Sequence, residues 1–170
     1  FDRRRWSLFK TISSFFQTSE TPYIQAIPYR APEIILETDL VEKVDIWSVG
    51  CILAELFTGN ILFDFHNNQD KLHLEAIFNM IGEDYSITEY VTNNIIDFFF
   101  EIDSNHDFYL KKSYKVSPNR TLESVLREST ISKGKEDLSN FIDFLKCMLV
   151  INPIDRWSID ELLEHDYLNV

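Results

Sequence analysis

A mainly α-helical fold is what this sequence predicts, on three observations. Apolar residues recur at helical spacing in three long segments, those segments carry the expected start and stop residues, and only one or two short stretches read as strands. The 170 residues are 45% apolar, enough to fill a sizeable core, and 14% aromatic, which argues against a disordered chain.

The elements follow in order. "IQAIPYRAPEIIL" (Ile24–Leu36) carries Pro28 and Pro32. Each fixes its own φ at about −65° and turns the residue before it away from the helical well, which predicts a rigid loop. Asp39–Gly59 reads as a long helix, with Asp39 as its cap and Gly59 as its stop. From Ile46 to Phe57 apolar residues cover nearly the whole circumference, which predicts burial on all sides. Asp45 at the edge of that stretch then needs hydrogen-bond donors, because an unpaired buried charge is very costly.

A second helix, Asn68–Gly82, places Leu72, Ala76, Ile77 and Met80 on one face and ends at Gly82. Residues Glu83–Asp137 are polar and poorly periodic apart from Ile95–Ile102, and read as an insert with one or two short helices. Leu138–Val150 is a third helix, with Leu138, Phe141, Ile142, Leu145, Met148 and Leu149 three and four apart. After the turn "NPIDRWS", Ser158 and Glu161 form a capping box that opens a last helix.

The net charge of −12 argues against nucleic acid, whose phosphates need clustered Lys and Arg. It suits a basic protein partner, or serves solubility alone. Residues 1–17 stand apart as a basic, aromatic leader with Arg3, Arg4, Arg5 and Lys10 against Asp2 alone; no role follows from the sequence. Cys51 and Cys147 lie singly in apolar helical patterns, so both read as buried free thiols of a reducing compartment, cytoplasmic and/or nuclear. His66, His73, His106 and His165 lack metal-ligand spacing, and no metal site is predicted. No apolar run reaches the length of a membrane span, so no membrane partner is expected.

Three motifs then fall in a recognisable order. "APE" (Ala31–Glu33) is followed twelve residues on by "DIWSVGCILAELFTG" (Asp45–Gly59), and later by "NPIDRWS", with Arg156, before "LLEHDYL". The set resembles the C-terminal part of a eukaryotic protein kinase domain: a partial large lobe over residues 18–170, with an insert at about 83–137. The resemblance implies a buried ion pair between Glu33 and Arg156, with Ala31, Pro32, Trp47 and Gly50 in structural roles. It implies that Asp45 accepts hydrogen bonds from backbone amides of the catalytic loop, with Trp47 packed beside it. It also implies that the preceding helix and that loop come from a kinase portion lying before Phe1.

"YR" (Tyr29, Arg30) directly before APE resembles the branch of cyclin-dependent, mitogen-activated, CDC-like, dual-specificity tyrosine-regulated and SR-protein kinases, the CMGC branch. There Arg30 shapes the segment that accepts the substrate residue after the phosphorylated one. Ala26, Ile27, Pro28, Tyr29 and Arg30 are thus implied to position substrate, and Ser19, Thr21 and Tyr23 are candidate phosphorylation sites. "YIQ", "LFDFHNNQDKLHLEAIFNMIG" and "FFFEIDSNHDFYLKKSYKVSPNRTLESVL" are most similar to SR-protein kinases, although "YIQ" occurs equally in the dual-specificity group. For an intact parent this implies ATP- and Mg2+-dependent phosphorylation of Ser in basic Arg/Ser-rich proteins.

Two departures matter. No G-x-G-x-x-G, H-R-D or D-F-G occurs, so no residue is assigned as catalytic, and the chain alone is expected neither to bind ATP and Mg2+ nor to transfer phosphate. Ala26 stands where active kinases usually carry Thr or Ser, and Ile27 and Pro28 replace the usual Arg and aromatic. A pseudokinase or decayed fragment acting at most as a protein-binding module therefore remains a second reading. A dual-specificity tyrosine-regulated or CDC-like kinase is a third.

Overall fold

The computed structural model describes residues 25–40, 42–65, 69–111, 120–129 and 135–169, with side chains left out at 135–137. Within them lie seven α-helices and one small sheet: α1 (Pro32–Ile35), α2 (Val44–Thr58), α3 (Asp70–Ile81), α4 (Asn93–Phe99), β1 (Phe100–Ile102), β2 (Phe108–Leu110), α5 (Leu122–Glu128), α6 (Lys135–Met148) and α7 (Ile159–Leu163). Short 3-10 turns occupy Ile27–Tyr29 and Ser86–Tyr90.

Helix α2 is the axis. Its buried residues Val44, Trp47, Gly50, Cys51 and Ala54 enter a core shared with Phe63, Leu74, Ile77, Leu126, Leu145 and Leu149. Gly50 is what lets α6 approach. A Cβ there would stand 2.9 Å from Leu149 Cδ2 and 3.2 Å from Met148 Cβ. Gly59 ends α2 in the left-handed region at φ 74°, donating its N–H to Glu55 O, as a helix-terminating glycine does.

The long-helix expectation needs two corrections. The helix begins at Val44 rather than near Asp39, and the residue before it is Lys43, with no side-chain cap. Lys43 is fixed by tertiary contacts instead: its Nζ donates to the carbonyls of Ile154 and Arg156, and its own carbonyl accepts from Arg156 Nη1. Nor is α2 buried on all sides. Asp45, Val49, Ile52 and Leu56 share one face, and Val49 is 46%, Ile52 42% and Leu56 77% exposed.

The remaining elements follow local chemistry. The second helix runs over Asp70–Ile81, and Gly82 closes it. "IIDFFFEI" changes from helix to strand at Phe100, and β1 pairs antiparallel with β2 in the register Phe100 to Leu110, Glu101 to Tyr109 and Ile102 to Phe108. The hairpin loop is held by the Asp103 carboxylate, whose Oδ1 accepts from the N–H groups of Asn105 and Asp107. Thr121 caps α5 through its hydroxyl, which accepts from Ser124 N. The third long helix starts at Lys135 and stops at Met148, two residues short of the expected end. The Ser158–Glu161 capping box opens α7. Cys51 is buried, whereas Cys147 is only half-buried, at the rim of α6.

Candidate functional site

The candidate site is the loop from Gln25 to Glu33, laid across the first turns of α2. Its hydrogen bonds explain its shape without glycine. Gln25 uses its whole amide: Nε2 donates to Val44 O (2.9 Å) and Ser48 Oγ (2.6 Å), and Oε1 accepts from Ala31 N (2.8 Å). Ser48 Oγ in turn donates to Tyr29 O (3.0 Å). Pro28 favours the single 3-10 turn Ile27–Tyr29, and Pro32 opens α1 at a position where a missing N–H costs nothing.

Two side chains leave the loop towards neighbouring helices. Tyr29 OH donates to Glu55 Oε2 on α2 at 2.7 Å, and that bond to a carboxylate holds the phenol above its usual pKa. Arg30 is buried and pairs through Nη1 with Asp70 Oδ1 at the start of α3, 3.2 Å away. Beneath that pair lies His73, 1% exposed, its ring 5.3 Å from Phe65 and 5.7 Å from Phe63. Neither ring nitrogen has a hydrogen-bond partner. Burial first, and the charge of Arg30 second, push its pKa down to about 4, so the ring is neutral.

The loop ends in a clamp. Arg156 and Glu33, both 0% exposed, form a two-pronged ion pair, Nη1 to Oε1 at 2.6 Å and Nη2 to Oε2 at 2.9 Å. The other three N–H groups of Arg156 donate to backbone carbonyls: Nε and Nη2 to Val150 O, and Nη1 to Lys43 O. All five donors are thereby used, the condition under which a buried guanidinium is tolerated. Trp47 covers the group, its ring 5.2 Å from Arg156 Cζ, and lies parallel to Phe63 at 6.0 Å.

The structure thus brings Tyr29, Arg30, Ala31, Pro32, Glu33, Trp47 and Arg156 into one network. Ala26 is exposed and Ile27 and Pro28 half-buried on the outer side of the loop. Asp45 does not join: it lies exposed beside Val49, with no backbone amide of another segment over it among the described residues, so the hydrogen bonds implied for it are missing here. Ser19, Thr21 and Tyr23 lie outside the described residues. Sequence reasoning assigned no role to Gln25, Lys43, Ser48, Glu55 or Asp70. Ser48 and Glu55 carried a signal, as polar residues inside an apolar helix.

ATP and Mg2+ are implied by the resemblance, and the residues present do not fit them. Among the described residues no group of three or more His, Cys, Asp or Glu could hold a metal ion. The sequence has no glycine-rich stretch to cover phosphates. Among the described residues no helix is long and apolar enough to cross a membrane.

The loop clamped by a buried Glu–Arg pair to the turn before the last helix is the arrangement that the kinase resemblance implies for Glu33 and Arg156. The chain belongs to that family: the protein kinase domain matches residues 12–168. It is 28% identical over 170 residues to the serine/threonine-protein kinase prpf4B of Dictyostelium discoideum, covering 94% of this chain and 21% of that protein. It is 32% identical over 152 residues to the stress-activated protein kinase JNK of Drosophila melanogaster, covering 88% of this chain and 38% of that one. It is 35% identical over 161 residues to the Dictyostelium protein named "Probable serine/threonine-protein kinase dyrk2", covering 92% and 16%. The chain therefore spans well under half the length of these relatives. The relatives named are serine/threonine or stress-activated protein kinases, and the family is one whose intact members use ATP and Mg2+.

Proposed function

We propose that residues 18–170 are the substrate-positioning part of the large lobe of a serine/threonine kinase closest to the SR-protein kinases. Its intact parent would phosphorylate Ser in basic, Arg/Ser-rich proteins in the cytoplasm or nucleus. The observation that supports this most is the tethered loop. Tyr29 to Glu55, Arg30 to Asp70 and Glu33 to Arg156 fix its far half to three separate elements. A rigid loop of this kind presents a constant surface to an extended peptide. The insert adds charge of the right sign. Tyr109, exposed on β2, has its phenol pKa raised first by Asp103, and also by Asp107 and Glu83, so carboxylates crowd an exposed aromatic ring. An arginine-rich peptide suits such a surface.

Phosphate transfer belongs to the longer protein in this reading. The chain by itself is inactive because the groups that position ATP are absent from its sequence. The test is a phosphorylation assay on the parent kinase with an Arg/Ser-repeat peptide and a proline-directed peptide. Preferred labelling of the Arg/Ser peptide, weakened by salt and by Asp103→Asn with Asp107→Asn, is expected. Preference for the proline-directed peptide, or indifference to salt, refutes the substrate assignment and favours the dual-specificity or CDC-like reading.

The pseudokinase reading has one observation in its favour. Ala26 presents an exposed methyl where active relatives of this kind carry a hydroxyl. A parent carrying intact upstream motifs that labels no peptide, and regains labelling with Ala26→Thr, would establish it.

A further inference from the structure

Ser86 stands where the segment after α3 meets the turn that carries Arg156. Its Oγ accepts from Asn152 Nδ2 at 2.8 Å, a bond between residues 66 apart in sequence. Asn152 is 4% exposed and organises the turn with its remaining groups. Its Oδ1 accepts from Ile154 N, and its carbonyl accepts from Asp155 N and Arg156 N. The backbone that aims Arg156 at Glu33 therefore rests on Asn152, and the Asn152 amide rests on the Ser86 hydroxyl. A buried amide that loses its acceptor carries a desolvation penalty, so the turn is sensitive to the state of that hydroxyl.

Ser86 is also held from its own side. Asp84 Oδ1 accepts from Ser86 N at 3.0 Å and from Ser86 Oγ at 2.7 Å. The residue is exposed all the same, whereas Thr88 is buried and donates its hydroxyl to Tyr85 O. Ser86 is thus the aliphatic hydroxyl of this turn that a second protein can reach. Its surroundings are acidic: Glu83, Asp84 and Glu89 lie within three residues of it, and no Lys or Arg occurs between Lys71 and Lys111. An enzyme that modifies this segment needs a basic cleft, and one that reads Lys or Arg beside its target finds none.

We propose that Ser86 is a phosphorylation site for an acid-directed serine/threonine kinase, and that its phosphate loosens the turn carrying Arg156. Ser86 Oγ attacks the γ-phosphorus of ATP, and the bond from that phosphorus to the bridging oxygen of ADP breaks. The hydroxyl proton passes to the base of the modifying kinase. The product has no proton to donate to Asp84, and a phosphate of charge about −1.5 to −2 stands beside that carboxylate. Repulsion opens the turn at residues 84–86, and Asn152 Nδ2 loses its acceptor. This goes beyond the substrate reading and holds whether or not the longer protein transfers phosphate.

The test uses the full-length protein with ATP, with and without added casein kinase II. Peptide mass spectrometry locates the phosphate, and hydrogen exchange is followed on the peptide covering residues 150–157. Phosphate on Ser86 is expected with the added kinase, together with a severalfold rise in exchange over 150–157 and none in α5. Ser86→Ala should take up no phosphate there. It loses the acceptor without gaining charge, so its exchange over 150–157 should rise by less. Absence of phosphate on Ser86, its appearance only after unfolding in urea, or a phosphorylated protein with unchanged exchange overturns the proposal.

Discussion

Removing the Glu33 carboxylate should be among the most damaging single changes this fold can suffer. In Glu33→Ala the Arg156 guanidinium stays 0% exposed while two of its five N–H groups, at 2.6 and 2.9 Å from Glu33, lose their acceptors. Breaking a buried pair from one side costs about 3–5 kcal/mol, a large share of the ~5–15 kcal/mol that holds a typical domain together. Arg156→Met should cost at least as much. It strands the Glu33 carboxylate and also removes both donors to Val150 O, a carbonyl worth about 1–3 kcal/mol if left unmet in the interior, while Lys43 O keeps the Trp47 N–H. The double variant should recover part of the loss, since no unpaired charge remains, but not all of it, because the Val150 carbonyl stays unserved. Urea denaturation followed by tryptophan fluorescence is the assay, with Trp47, stacked against the guanidinium, as a built-in reporter. A loss below about 1 kcal/mol for Glu33→Ala, the range of an exposed pair, would refute the argument that burial governs this interaction.

Other outcomes follow from the same geometry. Gly50→Ala should destabilise by about 1–3 kcal/mol, despite the better helix propensity of Ala, because the new methyl meets Leu149 Cδ2 at 2.9 Å; denaturation midpoints check it. Tyr29→Phe should lose about 0.5–1.5 kcal/mol with the bond to Glu55, and should raise hydrogen exchange at Tyr29 and Arg30 before the core responds. His73 ionises near pH 4 when folded and near 6.5 when unfolded, so its contribution is complete above pH 6.5 and is lost as pH falls towards 4. At about 1.36 kcal/mol per unit that amounts to roughly 3 kcal/mol, and His73→Leu should flatten the slope of stability across that window.

What the sequence made legible was the part whose cause is local. Gly59, Gly82 and the Ser158–Glu161 box mark helix ends through backbone chemistry confined to a few residues, and the structure places those ends accordingly. Helix α2 began elsewhere because Lys43 is held by the carbonyls of Ile154 and Arg156, more than a hundred residues away, which no cap signal encodes. The network behind the loop was half legible. Motif order pointed to Glu33 and Arg156, whereas Gln25 and Asp70 have ordinary surface chemistry in sequence and gain their roles only from what lies opposite. The breakdown at Val49, Ile52 and Leu56 is of a third kind. A continuous apolar circumference reports what a helix is built to touch, while exposure reports what is present, and the three side chains measure the difference. Asp45, predicted to need donors and found exposed at the head of the same row, leads to the same conclusion by an independent chemistry.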